Sequence, residues 1–113
     1  MAKKSKLHLH DYNIGGKQAK KTKALELREN KTLDKIVLSK ATVKPGQQTK
    51  LEILEGEERV CFFLNGHATV HMNGVAFTVQ PKDVILMPEG TTFYIENYSG
   101  HVDLDFNIVS TLI

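Results

Sequence analysis

The chain has 113 residues, of which 41% are hydrophobic and 25% are charged, and its formal net charge is +2. This length suits one domain with a single hydrophobic core. No apolar run approaches the roughly 18 residues that cross a bilayer, and the N-terminal region lacks the apolar segment of a secretory signal. The single cysteine, Cys61, excludes an internal disulfide framework and a structural zinc site built on cysteines. We therefore expect a cytoplasmic protein that does not bind membranes.

The charge is unevenly distributed along the chain. Residues 1–23 contain seven lysines and one acidic residue, Asp11, so this segment carries +6 and residues 24–113 carry −4. A basic arm can bind nucleic acid nonspecifically by releasing counterions from phosphates, but no arginines alternate with aromatic residues to read bases. We interpret residues 1–23 as a solvated, partly disordered N-terminal arm and residues 24–113 as the folded domain. Nucleic-acid binding is the less favoured alternative.

The first predicted element, at residues 19–30, suits either a short helix or a first strand, because its apolar residues are too few to define a helical stripe. From Thr32 onward, short runs rich in Val, Ile, Phe and Thr are separated by Gly, Pro, Asn and Asp at intervals of about 8 to 12 residues. This spacing predicts an all-β sandwich or barrel.

Two further patterns refine the prediction. The pairs Asn65-Gly66 and Asn73-Gly74 favour turns with positive φ and predict a β-meander over residues 60–80. Near the C-terminus, alternation predicts a half-buried strand whose apolar residues face inward: Val102, Leu104, Phe106 and Ile108.

Two segments, PGQQTKLEILEGEERVCFFLNG and KDVILMPEGTTFYIEN, are similar to the two paired motifs of the cupins, which are small β-barrels. The resemblance covers about residues 34–109 and rests on the order and spacing of a few residues: Pro45, Gly46, Gly66, Asp83, Pro88, Gly90 and Asn97. It implies a single cupin-type double-stranded β-helix, that is, a jelly-roll barrel.

Cupin enzymes hold a divalent metal with three histidines and one glutamate. The resemblance places these ligands at Glu52, Leu54, either Glu58 or Arg59, and Phe93. None of these is a histidine, and neither leucine nor phenylalanine has a lone pair for a metal. We therefore predict no metal and no other cofactor.

The histidines elsewhere in the chain do not replace the missing ligands. His67 and His71 lie four residues apart, so in a strand they share one face. The cupin pattern turns Ala68, Val70 and Met72 inward instead, and we expect both histidines to point outward.

The residues at the cupin metal positions could instead form a binding site for a small molecule. The candidate catalytic residues are Glu52, a potential general base, and Glu58 or Arg59; Arg59 could grip a carboxylate or phosphate. The candidate ligand-binding wall is apolar and consists of Leu54, Cys61, Phe63, Phe93 and Ile95. In the alternative interpretation, the charges neutralise each other, Phe93 fills the barrel, and Cys61 is a buried small hydrophobe.

Three functions follow from the resemblance. The leading hypothesis is a metal-free cupin that binds a small molecule, a carbohydrate or an organic acid, with or without isomerase, epimerase or lyase chemistry. The second is a dimerisation module, because MPEGTTFYIEN followed by DLDFNIV looks like the end of the cupin domain in the centromere protein C family. The third is a metal-dependent cupin enzyme with atypical ligands. All three imply a homodimer, with an edge strand at residues 34–43 or 77–83 to be covered.

Overall fold

The computed structural model describes residues 7–112 and confirms an all-β fold. Its ten strands are β1 (Lys17–Lys21), β2 (Leu25–Asn30), β3 (Ile36–Val43), β4 (Glu52–Ile53), β5 (Glu57–Asn65), β6 (Ala68–Met72), β7 (Val75–Val79), β8 (Val84–Met87), β9 (Thr92–Glu96) and β10 (Leu104–Leu112). No helix that could cross a membrane is found within residues 7–112. Three lysines of the predicted arm, Lys3, Lys4 and Lys6, lie outside this range.

The strands form two antiparallel sheets that enclose one core. The six-stranded sheet has the order β1-β2-β3-β10-β5-β8, and the four-stranded sheet has the order β4-β9-β6-β7. From β3 to β10 the chain crosses between the sheets at every connection except β6 to β7. This repeated crossing is the jelly-roll arrangement, as the sequence predicts.

Period-2 alternation places the core residues on the inner faces of both sheets. In β10, Leu104, Phe106 and Ile108 are buried as expected. Val102 is 45% exposed, because β10 begins two residues after it, so the prediction is wrong at this position.

The predicted β-meander over residues 60–80 is wrong in its first half. β5 pairs with β10 and β8, whereas β6 pairs with β7 and β9 in the other sheet. Asn65-Gly66 is therefore a corner between the sheets, and Asn73-Gly74 alone is a two-residue hairpin turn. Gly66 has a φ of 86° and Gly74 a φ of 80°, so the corner and the hairpin need the same backbone conformation.

Residues 17–30 form the antiparallel pair β1 and β2, so the strand alternative holds over most of the region predicted as helix or strand. Part of the basic segment, Lys17–Lys21, thus lies in a strand at the edge of the six-stranded sheet. The chain before β1 is also attached to this sheet. Ile14 is buried, and its carbonyl accepts a hydrogen bond of 2.6 Å from Asn30 Nδ2.

One of the two predicted edge strands is an edge. β3, which covers most of residues 34–43, lies between β2 and β10 and is not an edge. β7 lies at the edge of the four-stranded sheet, and β1 and β8 lie at the two edges of the six-stranded sheet.

Candidate functional site

Three charged side chains, Glu52, Glu57 and Arg59, meet at one end of the barrel, and we call them the mouth cluster. Arg59 Nε donates a hydrogen bond of 2.6 Å to Glu57 Oε1, and Arg59 Nη2 lies 3.6 Å from Glu52 Oε2. The Arg59 side chain is 20% exposed, that of Glu57 24% and that of Glu52 48%. Two carboxylates thus surround one guanidinium, and the cluster has a formal charge of −1.

The register of β5 decides between Glu58 and Arg59. Arg59 pairs with Ser110 of β10 and Met87 of β8, and it alternates onto the same face as the buried Cys61. Glu58 is exposed on the opposite face of β5 and does not join the mouth cluster. Of the two alternatives from the sequence, Arg59 is the residue that faces the barrel.

The predicted ligand-binding wall lies in the core. Its five members are between 1% and 4% exposed and belong to one packed cluster: Leu54, Cys61, Phe63, Phe93 and Ile95. Phe63 also packs against Phe106, with ring centroids 5.0 Å apart. A ligand at this end of the barrel would therefore meet the mouth cluster and would not reach the apolar wall in this conformation.

Phe93 closes the barrel beneath the mouth cluster. Its ring centroid lies 5.7 Å from Arg59 Cζ, within the range of a cation–π contact, and it is the register partner of Glu52. Phe93 is 4% exposed. This placement supports the filler interpretation of Phe93.

The four family positions do not suit a metal. Glu52 is the one potential donor among them, and the Arg59 guanidinium already lies next to its carboxylate. A cation there would be opposed by Arg59 and would find no donor on Leu54 or Phe93. Residues 7–112 also contain no group of three or more His, Cys, Asp and Glu side chains arranged to hold a metal.

Cys61 lies two residues after Arg59 in β5, on the same face of the strand, and is buried. Burial raises the pKa of its thiol from 9.0 to about 12, and the positive charge of Arg59 opposes that rise. The thiol is therefore protonated at neutral pH and is a poor nucleophile. This environment agrees with the interpretation of Cys61 as a buried small hydrophobe.

Glu57, the nearest partner of Arg59, is not among the site residues predicted from the sequence. Strand alternation could have identified it, because residues two apart in a strand share a face and Glu57 lies two positions before Arg59. Glu57 does not fall on any of the cupin metal positions, so the resemblance alone does not single out this carboxylate.

A second candidate region lies on the outer face of the six-stranded sheet. One cross-strand row contains Leu86, Val60, Val109 and Leu38, and the adjacent row begins with Val84 and Phe62. Leu86 is 67% exposed, Val84 48% and Phe62 40%. We call these six residues the apolar face.

A groove of about 1160 Å³ borders the apolar face. One of its walls is the chain before β1, including Leu9 and Tyr12, and the other includes Phe62, Leu38 and Val109. Asn107 Nδ2 of β10 donates a hydrogen bond of 3.2 Å to the Tyr12 carbonyl and so links the two walls. No sequence pattern pointed to this surface, because it is assembled from strands that are distant along the chain.

Comparisons with known proteins agree on the fold. The sequence matches no protein-family model, and none of the curated proteins matches it. Among solved structures, a predicted oxalate decarboxylase from Thermotoga maritima is similar with 26% identity and a TM-score of 0.71, over 79% of this chain and 81% of that one. The cupin domain of Schizosaccharomyces pombe Cnp3 shares 13% identity with a TM-score of 0.73, over 79% and 65%. KdgF from Halomonas shares 12% identity with a TM-score of 0.74, over 89% and 93%.

Proposed function

Because this chain is a small cupin, we propose that it works as a pairing module that binds a second copy of itself through the apolar face. The observation that carries this proposal is the apolar row that crosses four neighbouring strands of one sheet, exposed at Leu86 and half-buried at Val60, Val109 and Leu38. Single exposed apolar residues are common on proteins, but a contiguous patch of this kind marks an interaction surface.

A second copy is the partner that suits the apolar face. A two-fold axis brings equivalent residues of two protomers close together, so a charged patch would repel itself. The six residues of the apolar face are all uncharged, and Asn107, which pairs with Phe62, is neutral as well. The face also extends to β8, whose outer edge pairs with no other strand of the six-stranded sheet. Pairing would cover both the apolar rows and this edge.

The test is the oligomeric state of two matched variants, measured by light scattering and sedimentation over a wide concentration range. Leu86 is 67% exposed on edge strand β8, and Val75 is 63% exposed on edge strand β7 of the other sheet. We expect a dimer for the wild type and for Val75→Lys, and a monomer for Leu86→Lys. A monomeric wild type, or a Leu86→Lys variant that still pairs, would refute the proposal.

A second candidate function is the binding of a small polar molecule at the mouth cluster, without a metal. It is favoured by the half-exposed Glu52 carboxylate, which Arg59 holds at the barrel end. A carbohydrate, with many hydroxyl groups, suits two carboxylates and a guanidinium better than an organic acid does, because the cluster is already negative. The proposed contacts are with Glu52, Glu57 and Arg59, and isomerase, epimerase or lyase chemistry would have to use these groups.

A thermal-shift screen of sugars and organic acids tests this second candidate. Glu52→Gln removes the accessible carboxylate, and Glu58→Gln makes the same change on the outer face of β5. A ligand of the mouth cluster should stabilise the wild type and Glu58→Gln but lose most of its effect on Glu52→Gln. Equal stabilisation of both variants would place the ligand elsewhere.

A further inference from the structure

The outer face of the four-stranded sheet carries an ordered set of aromatic and hydrogen-bonding side chains. The pairing of β6 with β9 and β7 sets two rows, Tyr94–His71–Ala76 and Glu96–Thr69–Thr78. Extending the same register past Ala68 gives a third row at the strand ends, Tyr98–His67–Gln80. We call these nine residues the β6 face. Its rows are about 7 Å apart, the length of two strand residues.

A pocket lies at the third row of the β6 face. It has a volume of about 460 Å³ and is lined by His67, Thr78, Gln80 and Tyr98 of the face and by Asp83 of the turn before β8. This volume is within the range of small-molecule sites. β5 begins at Glu57 in the mouth cluster and ends at Asn65, two residues before His67, so the pocket lies at the end of the barrel opposite the mouth cluster.

The first row is held in a fixed arrangement. The rings of His71 and Tyr94 are stacked, with centroids 4.1 Å apart and an angle of 8° between their planes. His71 Nε2 donates a hydrogen bond to Glu96 Oε1 in the second row. The register partner of His71 on the other side is Ala76 of β7.

The centre of the β6 face contains a polar atom without a protein partner. Thr69 is 5% exposed, and within the part of the chain that the structure describes its Oγ1 makes no hydrogen bond. Its register partners, Glu96 and Thr78, belong to the same row. Because this hydroxyl is fully buried, a ligand on the β6 face would contact its row partners Glu96 and Thr78 and not Thr69 itself.

The chemistry of the β6 face points to one class of ligand, and we propose that it binds a neutral oligosaccharide. The C–H faces of a sugar ring can stack on tyrosine and histidine rings, and its hydroxyl groups can both donate to carboxylates and accept from hydroxyl and amide groups. The nine residues include no lysine or arginine, so they offer no fixed positive charge to nucleic acid or to another polyanion. This surface is separate from the apolar face and from the mouth cluster, and a dimer would present two copies of it.

The test is an NMR titration of the full chain with maltose, cellobiose, lactose and chitobiose. We expect at least one disaccharide to shift the amide signals of His67, Thr78 and Tyr98. Tyr98→Ala should weaken binding about tenfold through the loss of one ring contact, and Tyr98→Phe should retain most of the affinity. Tyr12→Ala is the matched control, because Tyr12 is an exposed tyrosine at the other sheet.

Several results would overturn the proposal. They are the absence of shifts with all four disaccharides, shifts centred on Glu52 and Arg59, and unchanged affinity in Tyr98→Ala. Leu86→Lys separates this proposal from the pairing function, because a monomer should bind the sugar with unchanged affinity at each site. Gln80→Ala is a second probe of the pocket if Tyr98→Ala fails to fold.

Discussion

Arg59 is a mostly buried cation that two carboxylates hold at one end of the barrel. Its guanidinium is mostly buried above the Phe93 ring, and a buried cation is unfavourable unless it is paired. Glu57 and Glu52 supply this pairing from two different sheets. The two carboxylates thus compensate the buried charge of Arg59 at this end of the barrel.

The two ion pairs of Arg59 should differ in strength. The Arg59–Glu57 pair is shorter and less exposed than the Arg59–Glu52 pair. Water screens exposed pairs, so double-mutant cycles with Arg59→Met should give a coupling on the order of 1 kcal/mol for Glu57→Gln and a smaller one for Glu52→Gln. Urea unfolding at neutral pH measures both couplings. A larger coupling to Glu52 would contradict this geometry.

Cys61 should make stability depend on pH in the alkaline range. Its pKa is about 12 in the folded protein, because of burial, and 9.0 is the ordinary value that applies when the chain unfolds. Below about pH 9 the thiol is protonated in both the folded and the unfolded protein, so it contributes no pH dependence to the free energy of unfolding. Between the two pKa values unfolding releases a proton, so stability should fall as pH rises, by up to about 1.4 kcal/mol per pH unit.

Urea unfolding of the wild type and of Cys61→Val at about pH 8 and about pH 10 isolates this contribution. The variant keeps a similar volume and lacks the thiol, so its loss of stability between the two conditions should be smaller. Equal losses would show that Cys61 ionises as readily in the folded protein as in the unfolded chain.

The sequence predicted which side chains face the barrel but not whether they enclose a cavity. The resemblance to the cupins placed Cys61, Phe63 and Ile95 inward, and they are inward. Whether such residues line a pocket depends on the side chains that reach them from the opposite sheet, such as Phe106 packing on Phe63. This cross-barrel packing has no short-range signature, so a filled core and an apolar pocket look alike in sequence.

At the level of elements, the two Asn-Gly pairs have the same sequence and different roles. Asn73-Gly74 closes the β6–β7 hairpin, and a Cβ added to Gly74 would meet open space. Gly66 turns the chain from one sheet to the other, where a Cβ would lie 2.7 Å from the Asp103 carbonyl oxygen. The sequence predicted two turns correctly, but it could not distinguish a hairpin from a corner, because only strand pairing separates them.

Alanine substitutions should reveal this difference. Gly74→Ala adds only the strain of a positive φ, about 1 kcal/mol. Gly66→Ala causes a similar strain and also a steric conflict with the backbone before β10. We therefore expect the free energy of unfolding to fall by at least about 2 kcal/mol. Chemical denaturation of both variants tests the prediction, and equal losses would show that the corner can relax around a methyl group.

At the level of the whole molecule, one core joins the two sheets. It includes Val43 and Phe106 from the six-stranded sheet and Val70 and Ile95 from the four-stranded sheet. Asn97, which follows β9, adds a polar connection. Its Nδ2 donates to the carbonyls of Val43, at the end of β3, and of Val102, before β10. The similarity to cupin motifs predicted this architecture because the motifs contain the residues of the turns and corners. The outer surfaces depend on the strand registers, which the motifs do not specify.

A shared core implies that the two sheets unfold together, since neither keeps its buried face without the other. The Tyr12→Phe variant allows a test, because its remaining tyrosines, Tyr94 and Tyr98, both belong to the four-stranded sheet or the loop after it. Their fluorescence reports on this sheet, and the reactivity of the Cys61 thiol reports on β5 in the other. The two urea transitions should have the same midpoint and slope. If the tyrosine signal changed at a lower urea concentration than the thiol, the four-stranded sheet would be an independent unit, and the core would not couple the β6 face to the apolar face.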